Sequence, residues 1–349
     1  MARAVWVRSA LSVAAAAAAL VITACAGPSA GPPAPPAPAV SLAPKVIEQA
    51  SAYRAYMARS AAISPAFSDG AAVSGALRAA AAYEPRQLVQ GAVAYGAIAA
   101  LQDPAYVAGV RTFSRDVTQR QSIAQAIIRN PAYALSFPGA PTAAGLVTTA
   151  LGEDGRRVFE QGKQVKQAAY SVQHFSWSKA DVANRDIRLA QAKSLSTMPL
   201  SGDVAESFRL QQAAGGGAPL GVVATQPAAP PYSPLVVRSL ALAALAVLGE
   251  AGEANLAQLT SVMSEPVAGS CLNMSKLNLY QCLAVSKPHY EDVFCMGQHI
   301  LMDTGMCVLK GAGAPAPLNV LTSPLTVASA TPVSTAAPIA SPTSGIRKP

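Results

Sequence analysis

The chain has 349 residues with 26 Lys and Arg against 18 Asp and Glu, a formal charge of +8, and apolar residues (51%) far outnumber charged ones (13%). The positive charge is dispersed: from Gly145 to Gly215 nine basic residues interleave with seven acidic ones, the pattern of solvated helix faces, which excludes a phosphate-tracking stripe and with it a nucleic-acid partner. Aromatics are only 5%, so alanine supplies most of the apolarity and the expected core is one of small side chains and closely approaching helices.

Arg3 and Arg8 form a positive start, and Ser9 to Ala24 is a sixteen-residue run without a charge. That is the form of an export leader, since a bilayer-spanning helix needs about 20 apolar residues. The run ends in Ile22-Thr23-Ala24-Cys25, which resembles the lipobox of bacterial lipoproteins. The resemblance implies cleavage before Cys25, diacylglycerol on its thiol, and usually a third acyl chain on its new amino terminus. Two or more buried chains anchor stably, at about 0.8 kcal/mol per methylene. Ala26 is not an aspartate, so the same resemblance implies the outer membrane, with the body in the periplasm. The competing reading is secretion, because Ala24-Cys25-Ala26 is also an A-x-A cleavage site; an uncleaved anchor is a third. Without the leader, 24 basic residues face 18 acidic ones, a net charge of +6.

Residues 25–44 form a tether: seven prolines fall between Ala26 and Pro44, which favours extended polyproline-type chain of at most roughly 60 Å at about 3.1 Å per residue. Residues 311–349, rich in Ala, Ser, Thr and Pro, are predicted to be a disordered tail. Between them the punctuation is helical. Asp103-Pro104 and Asn130-Pro131 each place a capping side chain before a proline at the first helical position, and both continue Ala-Tyr, a hint of a repeat too short to define one. Periodicity predicts helices at 45–62, 71–83, 86–102, 104–116, 118–129, 143–174, 179–196, 203–213, 234–249, 253–264, 270–286 and 289–303. Ala92, Gly96 and Ala100 lie four apart on one face, and Leu235 to Leu248 is apolar nearly all round; both helices are expected at the centre of a packed core. The Gly/Pro-rich segment 215–231 is the best internal boundary, separating a helical domain at 45–214 from a C-terminal part at 232–310. Strand signals are poor, so the fold class is all-α: a multi-helix bundle ending in a disulfide-stapled helical hairpin.

That hairpin follows from four cysteines. Cys271, Cys282, Cys295 and Cys307 crowd into thirty-seven residues, and an oxidising compartment makes two disulfides the default. Cys271 and Cys282 are three helical turns apart and share a face. Lys287-Pro288-His289 reads as the turn, so an antiparallel pair nests Cys282 with Cys295 and Cys271 with Cys307. The arrangement resembles the double-bridged hairpins of the twin Cys-x9-Cys class, although here ten and eleven residues intervene.

Chemistry beyond acylation is hard to find. Cys295, His299 and His289, with Met296, Met302 and Met306, include soft ligands that suit copper, but disulfides consume thiols and Met at helical spacing fills cores, so no metal is expected. Ser176-Trp177-Ser178-Lys179 matches Ser-x-x-Lys without its partner motifs, and Gly162-Lys163 lacks the rest of a P-loop. Glu153-Asp154 and Glu291-Asp292 are adjacent and diverge on a helix. No cofactor motif occurs. His174-Phe175-Ser176-Trp177 is the one polar-aromatic cluster outside the cysteine region and a candidate pocket wall. The sequence therefore points to a lipid-anchored envelope protein with Cys25 as its chemical site, acting as scaffold, adaptor or binding module for an envelope protein partner. The rivals are an apolar-ligand carrier, which needs a deep apolar pocket, and an enzyme, which needs convergent polar groups near His174 or His299.

Overall fold

A computed structural model describes residues 38–224 and 226–317. The leader, Cys25, most of the tether and residues 318–349 lie outside the described residues. Fourteen α-helices and no strand occur among the described residues. They are α1 (Pro44–Ala61), α2 (Gly70–Ala81), α3 (Pro85–Ala100), α4 (Pro104–Arg111), α5 (Val117–Arg129), α6 (Ala140–Val172), α7 (Ser176–Lys179), α8 (Arg185–Leu195), α9 (Val204–Ala214), α10 (Pro234–Val247), α11 (Leu256–Met263), α12 (Pro266–Val285), α13 (His289–Cys295) and α14 (Asp303–Ala312).

Local chemistry starts several of these helices. Glu84, Asp103, Ser233 and Glu265 each accept a hydrogen bond from a first-turn amide while the next residue is proline, which satisfies donors that would otherwise be orphaned. The two Pro-Ala-Tyr segments are not a repeat. Asp103 starts an eight-residue α-helix whose Tyr106 is buried, whereas Asn130 caps a 3-10 turn, Pro131–Ser136, whose Tyr133 is exposed.

The bundle is built around α3 and α10. From Val93 to Ala100 every residue of α3 is buried, and so is every residue from Ser239 to Val247 on α10. Gly96 is where they meet: a Cβ there would collide with Ser239 and Val147, so the small residues permit the close approach that Ala92, Gly96 and Ala100 predict. Tyr106 donates to the carbonyls of Ala134 (3.2 Å) and Leu240 (2.9 Å), tying the 3-10 turn to α10. Helix α6 is the spine, about 50 Å long from its 33 residues, with Leu151, Val158, Val165 and Val172 buried at seven-residue intervals. It runs alongside α1 and antiparallel to the helix 289–312, which it meets glycine on glycine: a Cβ on Gly305 would stand 2.6 Å from the Phe159 amide nitrogen.

Residues on both sides of the segment 215–231 enter one hydrophobic core, from Val46 and Leu88 to Leu245 and Ile300, so this stretch crosses the surface of a shared interior. At the chain's two ends the packed body extends beyond the predicted limits. Leu42 and Ala43 are buried, and the Ala43 amide donates to Ala251 O at 2.8 Å; α14 runs to Ala312, with Ala314 packed against Gly152.

Three helix predictions are corrected. The expected helix 104–116 ends at Arg111, after which Phe113 N and Ser114 N donate to Val110 O and Arg111 O in tighter turns. The expected helix 179–196 starts only at Arg185, after the single-turn α7, because Val182 N donates to Lys287 O and His289 N to Ala180 O; the backbone between pairs with the hairpin turn, and Asn184 takes a left-handed conformation. The expected 289–303 continues to Ala312 through a π-helical stretch, Met296–Met302. The cysteines explain that stretch. Cys271 and Cys282 are in phase at eleven residues, but Cys295 and Cys307 are twelve apart, about 120° out of phase on an ideal α-helix. The wider i to i+5 turn absorbs the extra residue. Both pairs then reach disulfide geometry, Cys271 with Cys307 and Cys282 with Cys295, each at a Cα separation of 5.7 Å.

Candidate functional site

A broad concavity lies at the end of α1 remote from Pro44. After α1 the chain cannot continue helically through Pro65, and the loop 62–69 folds back under two anchors, Ile63 and Phe67, each less than a tenth exposed. Gln161 Nε2 fixes the loop by donating to Ile63 O at 2.5 Å. Between this loop and the last turns of α6 lies an open groove of about 800 Å³. Its floor is Phe67, Ala168 and Val172; Lys163, Gln164, Gln167 and Ser171 edge it, and Phe175, 54% exposed, forms its lip.

The predicted aromatic cluster sits on that lip. Phe175 and Trp177 rings stack at 6.5 Å, and Trp177 rests 6.4 Å from the His289 ring, which fills the space beside Gly70. Ser178, buried, donates to Val172 O (2.5 Å) and Phe175 O (2.9 Å), pinning the turn; Ser176 and Lys179 are exposed. On the other side of the same helix end, a smaller hollow of about 350 Å³ is walled by Tyr170, Tyr290, Phe294 and the Cys282–Cys295 bridge. Tyr170 is 46% and Val285 75% exposed, so this end of the body presents aromatic and aliphatic surface on two adjoining faces.

The remaining candidates do not converge. His289 stands at the hairpin turn and His299 in the π stretch, ten residues and roughly 15 Å along the helix, and His299 pairs with Asp303 at 3.2 Å. Cys295 is bridged, while Met296 and Met302 are buried in the core. The adjacent carboxylates do diverge. Asp154 is buried and paired with Arg54 and Arg157, and Asp292 is buried against Arg188, which also donates to Leu283 O. Burial raises the Asp292 carboxyl above its usual range, opposed by the Arg188 hydrogen bond and charge.

One buried group was missed at the level of motifs. Lys276 is 3% exposed, its amine nitrogen 3.4 Å from the centre of the Tyr83 ring, donating to Ala81 O (2.5 Å) and Ser196 Oγ (3.1 Å). Around it Tyr83 OH shares a hydrogen bond with Thr304 Oγ1 (2.9 Å), which meets Ser275 Oγ at 3.1 Å. Desolvation holds the Lys276 amine well below the ordinary lysine range. The sequence carries a signal for it: Lys276 is the only charged residue from Pro266 to Ser286, on a helix that must bury one face. The amine lines none of the concavities described, so its role is to join α12 to α2 and α8. No known family profile matches the chain, and no curated protein or solved structure matches it.

Proposed function

We propose that this is a lipoprotein of the bacterial cell envelope, acylated on Cys25 and held at the outer membrane, whose helical body is a periplasmic binding module for a protein partner. The leader with its lipobox-like Ile22-Thr23-Ala24-Cys25 supports the anchor, and two disulfides suit an oxidising compartment. No helix of the described residues is long and apolar enough to cross a membrane; in this reading the acyl chains on Cys25 hold the body.

The observation that carries the binding reading is the open groove with Phe175 at its lip. A carrier of apolar ligands needs an enclosed apolar chamber, and an enzyme needs titratable groups that converge on accessible space. Here the interior is filled by side chains at or near zero exposure, the perturbed amine is sealed in the core, and exposed Tyr170, Phe175 and Val285 put apolar surface at the end of α6 and just before the hairpin turn. Aromatic anchors rimmed by planar polar side chains are what a protein-binding surface requires.

Photo-crosslinking in intact cells tests this reading. A crosslinking residue at Gln167 or Ser171 is expected to give a discrete adduct that Phe175→Ser abolishes, while the same residue at exposed Gln212 gives none. Identical adducts from all three positions would refute the binding surface. Cys25→Ala is expected to release the protein from membranes; a mature chain beginning at Gly27 with no fatty acid would refute the anchor.

A further inference from the structure

The opposite end of the body carries different chemistry, and contacts link it to the point where the tether joins. Pro38 packs against Gly249, and the neighbouring Glu250 pairs with Arg120 at 3.5 Å. Arg120 Nη1 lies 3.5 Å from Ser114 O. Ser114 belongs to the short connection between α4 and α5, where Arg111 and Arg115, with Pro104, Val107, Ala108 and Thr112, line a concavity of about 550 Å³. Both arginines are exposed, and neither forms an ion pair among the described residues. The carboxylates nearby are committed elsewhere. Asp103, buried, accepts from Tyr106 N; Asp116 accepts from Gln119 N; Glu250 faces Arg120. Val117, 47% exposed, adds an apolar side chain beside the arginines.

We infer that this arginine-lined hollow rests on the membrane and binds the phosphate headgroups of anionic phospholipid, which orients the body with its groove directed away from the bilayer. The inference builds on acylation at Cys25. From Ala26 to Ala37 only twelve residues separate the acylated position from the packed chain, a reach below about 40 Å even when fully extended as polyproline. The hollow is thus held close to a leaflet. Two unpaired guanidiniums match phosphate geometry, and each basic side chain near an anionic surface strengthens contact by about fivefold, an effect that salt removes.

The test uses the acylated full-length mature protein in vesicles of phosphatidylcholine alone or with added phosphatidylglycerol. Hydrogen–deuterium exchange is read over residues 104–118 and, as the far-end control, 164–175. The inference expects several-fold slower exchange in 104–118 on the anionic vesicles only, no change at 164–175, and loss of the difference at high salt or in R111Q/R115Q. That variant should still float with vesicles through its acyl chains. Equal exchange on both vesicles, with the protein floating on each, would overturn the inference and leave the anchor standing. Matching protection on phosphatidylcholine vesicles in millimolar inorganic phosphate would also overturn it, assigning the hollow to a soluble anion. Intact mass reports acylation separately: a chain without fatty acid defeats the anchor, and lipid-dependent protection at 104–118 then still decides the headgroup site.

Discussion

Removing the two disulfides one at a time should destabilise the body unequally, by amounts that follow from their nesting. In the chain-entropy treatment a bridge lowers the entropy of the unfolded chain by roughly 2.1 + 1.5R ln n cal/mol/K. The inner bridge, Cys282–Cys295, closes 13 residues and the outer, Cys271–Cys307, closes 36; taken alone they contribute about 2.9 and 3.8 kcal/mol. They are not independent. With the inner loop closed, the outer bridge spans an effective loop of about 23 residues, so its removal costs about 3.4 kcal/mol and removal of the inner one about 2.5 kcal/mol. Replacing each pair by alanine also deletes one buried and one partly buried sulfur in both cases, because Cys295 and Cys307 are buried and Cys271 and Cys282 are not. The packing loss therefore largely cancels in the comparison. The assay is reversible urea unfolding followed by circular dichroism, with thermal midpoints expected to fall by about 7 °C for the outer pair and about 5 °C for the inner at roughly 2 °C per kcal/mol. If the inner pair costs as much as the outer, or more, the entropic nesting argument fails.

Glycine positions of opposite kind should respond with opposite sign: Gly305→Ala, whose new methyl would press on the Phe159 backbone, is expected to cost about 2 to 3 kcal/mol. Gly269→Ala, where nothing lies within 4 Å, should gain about 0.5 to 1 kcal/mol; denaturation midpoints read both, and a neutral Gly305→Ala would contradict the close crossing of α6 and α14. Lys276→Met should raise stability near neutral pH, since Ala81 O keeps its bond from Tyr83 N (3.0 Å) and Ser196 its bond to Ala192 O (2.7 Å). The sign is fixed by the depressed folded pKa: the unfolded lysine binds a proton below about pH 10.4 that the folded one resists, so wild-type stability rises with pH toward that value. The advantage of Lys276→Met is expected to shrink between neutral pH and pH 10, and an equal difference at both would show that the amine is charged in the fold.

Local rules made most of the fold legible in the sequence. A capping side chain followed by proline decides a helix start within four residues, which is why α4 begins as predicted. Alanine and glycine at four-residue spacing identify α3 as a helix others can approach, and the cysteine spacing about Pro288 implies the nested hairpin. What stayed hidden depends on partners distant in the chain. Residues 180–184 have helical composition, yet the Val182 amide is claimed by Lys287 and the Ala180 carbonyl by His289. The π stretch is required only once Cys295 and Cys307 must both face α12. Likewise the groove needs a loop near residue 65 to lie over a helix about a hundred residues later, and no periodicity in either segment encodes that encounter.

The same small side chains that build the core also limit where function can reside. Helices that touch through Gly96, Gly155 and Gly305 approach backbone to backbone, which removes the space that bulkier side chains would frame there. Two of the concavities lie at helix ends, where loops and cut-off turns leave apolar side chains without neighbours. One carries Arg111 and Arg115, near the start of α6, and the other Phe67, Phe175 and Tyr170, near its end. On the proposed reading, acylation at Cys25 favours membrane contact at the first end and leaves the second free to meet a partner, so a substitution at one end should leave the other end's binding unchanged. Coupled loss at both ends would mean that they form one continuous interface.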